Sequence, residues 1–343
     1  MRAVRKDEHA KHMGPGVGPA PSASVAAGAS PTTSDFLTAR PAATLRRKKR
    51  SRLANGQERP GIGESALKGI ILLILCGAVI VPFISVISTS IAPRDQISRA
   101  GGLVLFPSGI DLSAYKAIFS GGVVSRALFI SIGVTVVGTI LSLFVSCLLA
   151  YATSRSHFVL ARPVLLVVLI GMLFSPGMIP VYLVVRQTGL LNSLWALILP
   201  TMVSGFNVIV LRSFFQSIPV ELTESATIDG ASEWQVFSRI VMPLSKAVLA
   251  VIGLFYAVGY WNAFFSALLY LDDASKWPMQ LVLRTYVVND TSMGQADLGT
   301  EMMPPQSALQ MAILVVSMVP ILIVYPFLQK HFAKGVLTGA VKG

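Results

Sequence analysis

The chain has 343 residues, 53% of them hydrophobic and only 13% charged, with a formal net charge of +12. A water-soluble globular domain carries about 25% charged residues, so this balance, with a mean hydropathy of +0.68, excludes an ordinary soluble enzyme and points to an all-α protein embedded in lipid. The positive surplus does not mark a nucleic-acid binder. Its densest run, Arg46, Arg47, Lys48, Lys49, Arg50 and Arg52, stands shortly before the first apolar stretch, where basic residues mark a cytoplasmic flank.

Residues 1–64 are rich in Pro, Ala, Ser, Gly and Arg, as in Gly14-Pro15-Gly16-Val17-Gly18-Pro19. Such a segment buries too little apolar surface to offset the entropy of ordering, and a disordered basic cytoplasmic tail is expected. It does not read as a cleavable signal peptide, because the apolar run comes late, is long and lacks a small-residue cleavage site soon after it. Met13 is a possible alternative start.

From residue 65 a single membrane domain is expected. Six apolar stretches follow, at 68–91, 126–151, 162–185, 193–214, 246–270 and 308–329, each near the roughly 20 residues that cross a bilayer core. The 16 acidic residues all fall in the tail or the connections. Cys76 and Cys147 lie within the stretches and read as small buried hydrophobes, without disulfide or zinc spacing. With the amino terminus inside, the inner segments hold 21 Lys and Arg and the outer ones 7 (Arg94, Arg99, Lys116, Arg126, Arg186, Lys276 and Arg284). Both termini are therefore expected in the cytoplasm. The two longest outer connections, 92–125 and 271–307, exceed what mere linkage requires. Pro176 and Pro180 interrupt the third stretch and Pro200 the fourth; such breaks mark either a pathway or a kink against neighbouring helices.

Between the fourth and fifth stretches, residues 218–243 read as two short helices. Pro219 suits a first turn, with Glu221 and Glu224 near its positive end. Gly230 stands where a left-handed cap must stop that helix. Ser232 and Gln235 form a capping box for the second helix, and Pro243 is expected to end it. Ala226, Ile228, Ala231, Trp234 and Phe237 make this knob too apolar for a free surface, which implies a protein partner.

This loop resembles the signature loop of permease subunits of binding-protein-dependent ATP-driven importers. The resemblance rests on Glu224-Ser225-Ala226, Asp229-Gly230-Ala231, Ile240 and Pro243, with Ser225 standing where the family usually has Ala. It implies six transmembrane helices with a cytoplasmic coupling helix between the fourth and fifth. That helix would dock on a separate nucleotide-binding ATPase, with Glu224 meeting the ATPase, Gly230 permitting the turn, and Ala226 and Ala231 allowing close packing. A second, different permease and an extracytoplasmic solute-binding protein complete the implied assembly in a bacterial cytoplasmic membrane. The resemblance covers about residues 68–343. Two stretches, 261–270 (Trp261-Asn262-Ala263-Phe264-Phe265) and the tail from Tyr325-Pro326-Phe327 to Lys342-Gly343, resemble the branch that takes up oligosaccharides and polysaccharide fragments.

Tyr256, Tyr260, Trp261 and Asn262 in the fifth stretch combine apolar rings with hydrogen-bonding tips, which suits either a sugar path or contacts between helices. In the maltose-type relatives much of the sugar site belongs to the partner permease. The chain has no Gly-x-x-x-x-Gly-Lys-Ser/Thr loop, so any ATP is expected on the partner ATPase, with no cofactor of its own. Nor has it His-Glu-x-x-His, Gly-x-Ser-x-Gly or an acidic pair within a stretch. It is therefore not expected to be an enzyme. A self-contained secondary transporter would need charges within spans or inverted repeats. A membrane transferase would need a metal spacing among Asp272, Asp273, Asp290, Asp297 and Glu301, and none is evident. A cargo other than sugar is compatible with the coupling loop.

Overall fold

A computed structural model describes residues 62–155, 158–298 and 303–340. The expected disorder of the tail falls, for residues 1–61, outside the described residues. Every regular element among the described residues is helical.

The chain opens with α1 (Ile62–Ile91), followed on one side of the bundle by α2 (Arg94–Arg99) and α3 (Ser113–Ser120). Then come α4 (Val123–Ser154), α5 (Ala161–Leu173), α6 (Met178–Gln187), α7 (Trp195–Ile198) and α8 (Gly205–Gln216). The knob contains α9 (Val220–Ile228), α10 (Glu233–Val236) and α11 (Met242–Leu244), and α12 (Lys246–Trp261) and α13 (Phe264–Tyr270) follow. Last are α14 (Met279–Leu283), α15 (Gln295–Leu298) and α16 (Gln306–Ala340).

Among the described residues, three helices are long and apolar enough to cross a bilayer unbroken: Gly63–Ile91, Val123–Ser154 and Gln306–Pro326. Three more candidates are broken. Ala161–Leu173 and Met178–Gln187 meet at 120°, and Trp195–Thr201 and Gly205–Gln216 at 53°. Glu233–Leu244 meets Lys246–Trp261 at 84°. The third stretch breaks before Pro180, at Phe174–Gly177, where Gly177 takes φ +81; only glycine adopts that conformation without strain. The fifth stretch is not one helix to residue 270, since α12 stops at Trp261 and the chain turns through Asn262 and Ala263.

The centre of the bundle is α4, packed between α8 and α12. Gly138 lets Tyr260 of α12 press its ring onto the α4 backbone, and a Cβ there would stand 2.8 Å from that ring. Ser142 Oγ pairs with Tyr260 Oη at 2.7 Å and Ser146 Oγ with Tyr256 Oη at 2.6 Å. The same two phenols serve the break between α7 and α8. Tyr260 Oη donates to the Ile198 carbonyl, and the Ser204 N–H donates to Tyr256 Oη at 3.1 Å. Backbone groups freed by a break in lipid must find protein partners, and α12 supplies them.

A second apolar cluster forms from the two long connections at 92–125 and 271–307. Ile97, Ala117 and Ile118 join Met279, Tyr286, Met293 and Leu298 over the adjoining turns of α4 and α16. Ser120 Oγ donates to the Leu298 carbonyl at 2.6 Å. Gly121 lies so close to the Asp297 backbone that no side chain fits there. These connections are therefore built structure rather than open loops.

Cys147 is buried as expected, but Cys76 is exposed. It lies on α1, most of whose apolar side chains are exposed, as are many on α5 and α6. A lipid phase satisfies such surface without protein burial, so apolarity in a span does not imply a place in the protein core.

Gly138→Ala should overpack the α4–α12 contact, because the facing Tyr260 is 7% exposed and its hydroxyl is bonded. A loss of about 1–3 kcal/mol is expected, lowering the melting temperature of the detergent-purified chain by several degrees. Gly253→Ala, whose Cβ would meet nothing nearer than Leu143 at 3.7 Å, should leave that temperature unchanged.

Candidate functional site

Helix α9 starts from Pro219, which caps it rather than entering its first turn, and Glu221 lies in that turn. Gly230 takes φ +83. Around it the Ala231 N–H donates to the Ala226 carbonyl at 2.9 Å and the Gly230 N–H to Thr227 at 3.0 Å. That pair of bonds is the Schellman closure that a left-handed glycine allows. Ser232 and Gln235 then form the expected capping box, with the Ser232 N–H donating to Gln235 Oε1 at 2.8 Å.

Pro243 does not end the second helix. After α10 the helix widens into a π turn over Phe237–Val241 and continues through Pro243 to Leu244. The widened turn removes the usual clash of a proline ring with the carbonyl four residues back. The helix stops at Ser245, whose Oγ donates to the Val241 carbonyl at 2.6 Å.

The knob's apolar residues divide into two groups. Phe237 is buried, and Ala226, Ala231 and Ile240 pack partly buried against the main core. Ile228 (85% exposed) and Trp234 (58%) face outward with Val220 and Leu222. Glu221, Glu224, Ser225, Asp229 and Gly230 are also exposed. Nothing within 4 Å would meet a Cβ on Gly230, so this chain leaves open space there.

The knob is fastened to the end of α4. Tyr151 Oη donates to the Glu233 carboxylate at 2.6 Å, and Arg155 donates to Tyr151 Oη at 2.7 Å and to Thr223 Oγ1 at 3.3 Å. The Arg155 guanidinium also lies over the Tyr151 ring, 3.8 Å from Glu233 Oε2. An open cleft of about 680 Å³ lies beside these groups, bordered by Phe215, Thr227 and Glu224. Sequence reasoning missed Tyr151 and Arg155; their distance along the chain from the loop hides the contact.

In the fifth stretch Tyr256, Tyr260 and Trp261 are buried, while Asn262 is exposed and its Nδ2 donates to the Val258 carbonyl at 2.9 Å. The Trp261 Nε1–H is buried with no partner among the described residues. Beyond this break, the Arg284 guanidinium lies 5.0 Å from the centroid of the Phe264 ring.

Three acidic residues of the connection at 271–307 are engaged locally. Asp290 accepts from Gln310 Nε2 at 2.6 Å, and Asp297 accepts from the Gly294 N–H. Asp273 accepts from the Ser275 N–H, and hydrogen bonding by Ser275 holds its carboxyl below the ordinary carboxylate value. Glu301 lies outside the described residues.

The sequence pattern of a binding-protein-dependent transport system inner membrane component matches residues 142–338, more than half the chain. This chain belongs to that family. It is therefore a permease subunit integral to the cytoplasmic membrane, working with a separate ATPase. A polygalacturonan/rhamnogalacturonan transport system permease of Bacillus subtilis is 46% identical over 274 residues, 79% of this chain and 96% of the relative. An arabinooligosaccharides transport system permease of Halalkalibacterium halodurans is 30% identical over 266 residues, 76% of this chain and 91% of the relative. Among solved structures, a chain of a bacterial ABC transporter involved in the import of the acidic polysaccharide alginate has a TM-score of 0.74 at 29% identity. That likeness covers 80% of this permease and 100% of the other chain.

Ser232→Ala removes the side-chain acceptor of the capping box and should cost about 1 kcal/mol locally. Hydrogen–deuterium exchange should rise at residues 233–236, while the amides of α9 keep their protection.

Proposed function

We propose that this permease makes six membrane crossings with both ends in the cytoplasm and forms half of the path for a sugar or oligosaccharide. Three unbroken helices, two bent pairs and the α12–α13 run that follows the knob fit six crossings, and the Lys and Arg flanking the first support the orientation. The observation that carries the mechanism is the knob around Gly230. Its Glu221, Glu224, Asp229, Ile228 and Trp234 face outward on a closed helical turn that α4 holds by Tyr151 and Arg155. Ala226, Ala231, Ile240 and Pro243 keep that turn seated on the bundle. Docked in a cleft of the ATPase, with Ser225 and Gly230 at the small-residue contact, the knob passes closure of the ATPase on ATP to α4 and α12.

The partners of this reading are two ATPase subunits, a second and different permease, and an extracytoplasmic solute-binding protein. The cargo follows from the relatives: one handles polygalacturonan and rhamnogalacturonan, another arabinooligosaccharides, and the structural neighbour serves alginate import. The path passes the break in the fifth span. Asn262 is its exposed contact, and Tyr256, Tyr260 and Trp261 shape the wall behind.

The chain should be tagged, extracted gently and its companions identified. Recovery of an ATPase, a second permease and a sugar-binding protein is expected. Active uptake by the reconstituted chain alone would overturn the proposal in favour of a self-contained transporter. Within the complex, Gly230→Trp should abolish uptake while membrane insertion and abundance stay normal, since the new side chain strains only the local left-handed turn, meets no other part of this chain and would stand in the docking face. Normal uptake in that variant would remove the coupling role from the loop.

A further inference from the structure

The connection after the fifth stretch returns along α4 rather than ending at its tip. The Met279 N–H donates to Ser131 Oγ at 2.7 Å. Ser131 lies eight residues inside α4, about 12 Å from that helix's outer end at 1.5 Å per residue. Residues 279–288 (Met-Gln-Leu-Val-Leu-Arg-Thr-Tyr-Val-Val) form a ten-residue apolar helical segment with one charge, Arg284. Arg284 is exposed on this chain. Its guanidinium stands over Phe264, which opens α13 four residues beyond Tyr260. Tyr260 in turn lies against Gly138, near the middle of the 32-residue α4. Asn262, also exposed, sits at the same break. Among the described residues no carboxylate pairs with Arg284.

A permanent cation at this depth faces a protein interior or a water-filled path, not lipid. A lipid phosphate belongs to the headgroup layer, and a guanidinium held over a ring has not extended toward it. Contact with the ring also restricts the side chain before a ligand arrives, leaving the N–H edge for a planar anion with two acceptor oxygens.

We infer that Arg284, held over Phe264 beside Asn262, is a carboxylate-reading contact of the transport path, and that the cargo is an oligosaccharide of uronic acid units. This inference rests on the proposed role as a sugar importer and specifies the class of sugar. Arg284 acts as a charged stepping point: it takes a carboxylate as the cargo passes the break and releases it when the spans rearrange.

The test uses the complete importer in liposomes, with trigalacturonate and neutral maltotriose as probes, and Arg284→Gln and Arg284→Lys as variants. The wild type should take up trigalacturonate. Arg284→Gln should cut that uptake about tenfold, the loss expected for one charge-assisted contact, and Arg284→Lys should retain an intermediate rate. Calorimetry on the two-permease–ATPase complex without the binding protein should show the same order for trigalacturonate affinity.

Unchanged uptake and affinity in Arg284→Gln would overturn the inference. So would loss of the second permease from that variant on gel filtration, which would make Arg284 an ion-pair partner of the other subunit. Wild-type uptake of maltotriose but not trigalacturonate would remove the acidic cargo while leaving the sugar importer standing. Uptake of no sugar at all, neutral or acidic, across a wider panel would instead remove the importer reading.

Discussion

The contact on which the bundle depends is the seating of α12 against α4, where two phenols reach across to two serines. Gly138 permits the close approach, and Ser142 and Ser146 receive Tyr260 and Tyr256. A single hydrogen bond between helices in a membrane averages only about 0.6 kcal/mol. The value of this pair lies in its second set of bonds. The same hydroxyls reach the Ile198 carbonyl and the Ser204 N–H at the break between α7 and α8. In lipid no water is at hand for those backbone groups, so the broken span persists because α12 lies beside it.

That arrangement joins the two ends of the proposed mechanism. At one end of α4, Tyr151 and Arg155 hold the knob through Glu233 and Thr223. Near its middle, the serines hold α12, and α12 ends at the break beside Asn262 and Phe264. In the proposed mechanism a displacement of the knob is borne by one continuous helix whose contacts include both the α7–α8 break and α12. Rigid helices with discrete hydrogen-bonded seats carry such a displacement better than loops do.

The far side of the bundle follows a different logic. The described parts of the connections at 92–125 and 271–307 include short helices and share one apolar cluster with α4 and α16. Asp290 serves there as a local acceptor for Gln310, and Asp297 for the Gly294 N–H. Much of α1, α5 and α6 is left apolar and exposed. In a membrane subunit that surface is normal, being satisfied by lipid.

The amino-acid sequence alone determined the features governed by local chemistry and by lipid. Long uncharged stretches specify an all-helical membrane protein. The left-handed turn at Gly230 and the Ser232–Gln235 box are set by residues within a few positions of one another, so both were legible before the structure. Whatever depended on partners distant in the chain was not. Pro243 continues its helix because the turn before it widens, and Tyr256 and Tyr260 spend their hydroxyls on serines more than a hundred residues away. Arg284 counts as an outer-loop charge in the sequence and comes to lie beside Phe264 only because Met279 anchors to Ser131 within α4. Periodicity and capping act over one or two helical turns, whereas a side chain's depth and partners are decided by which helices pack together.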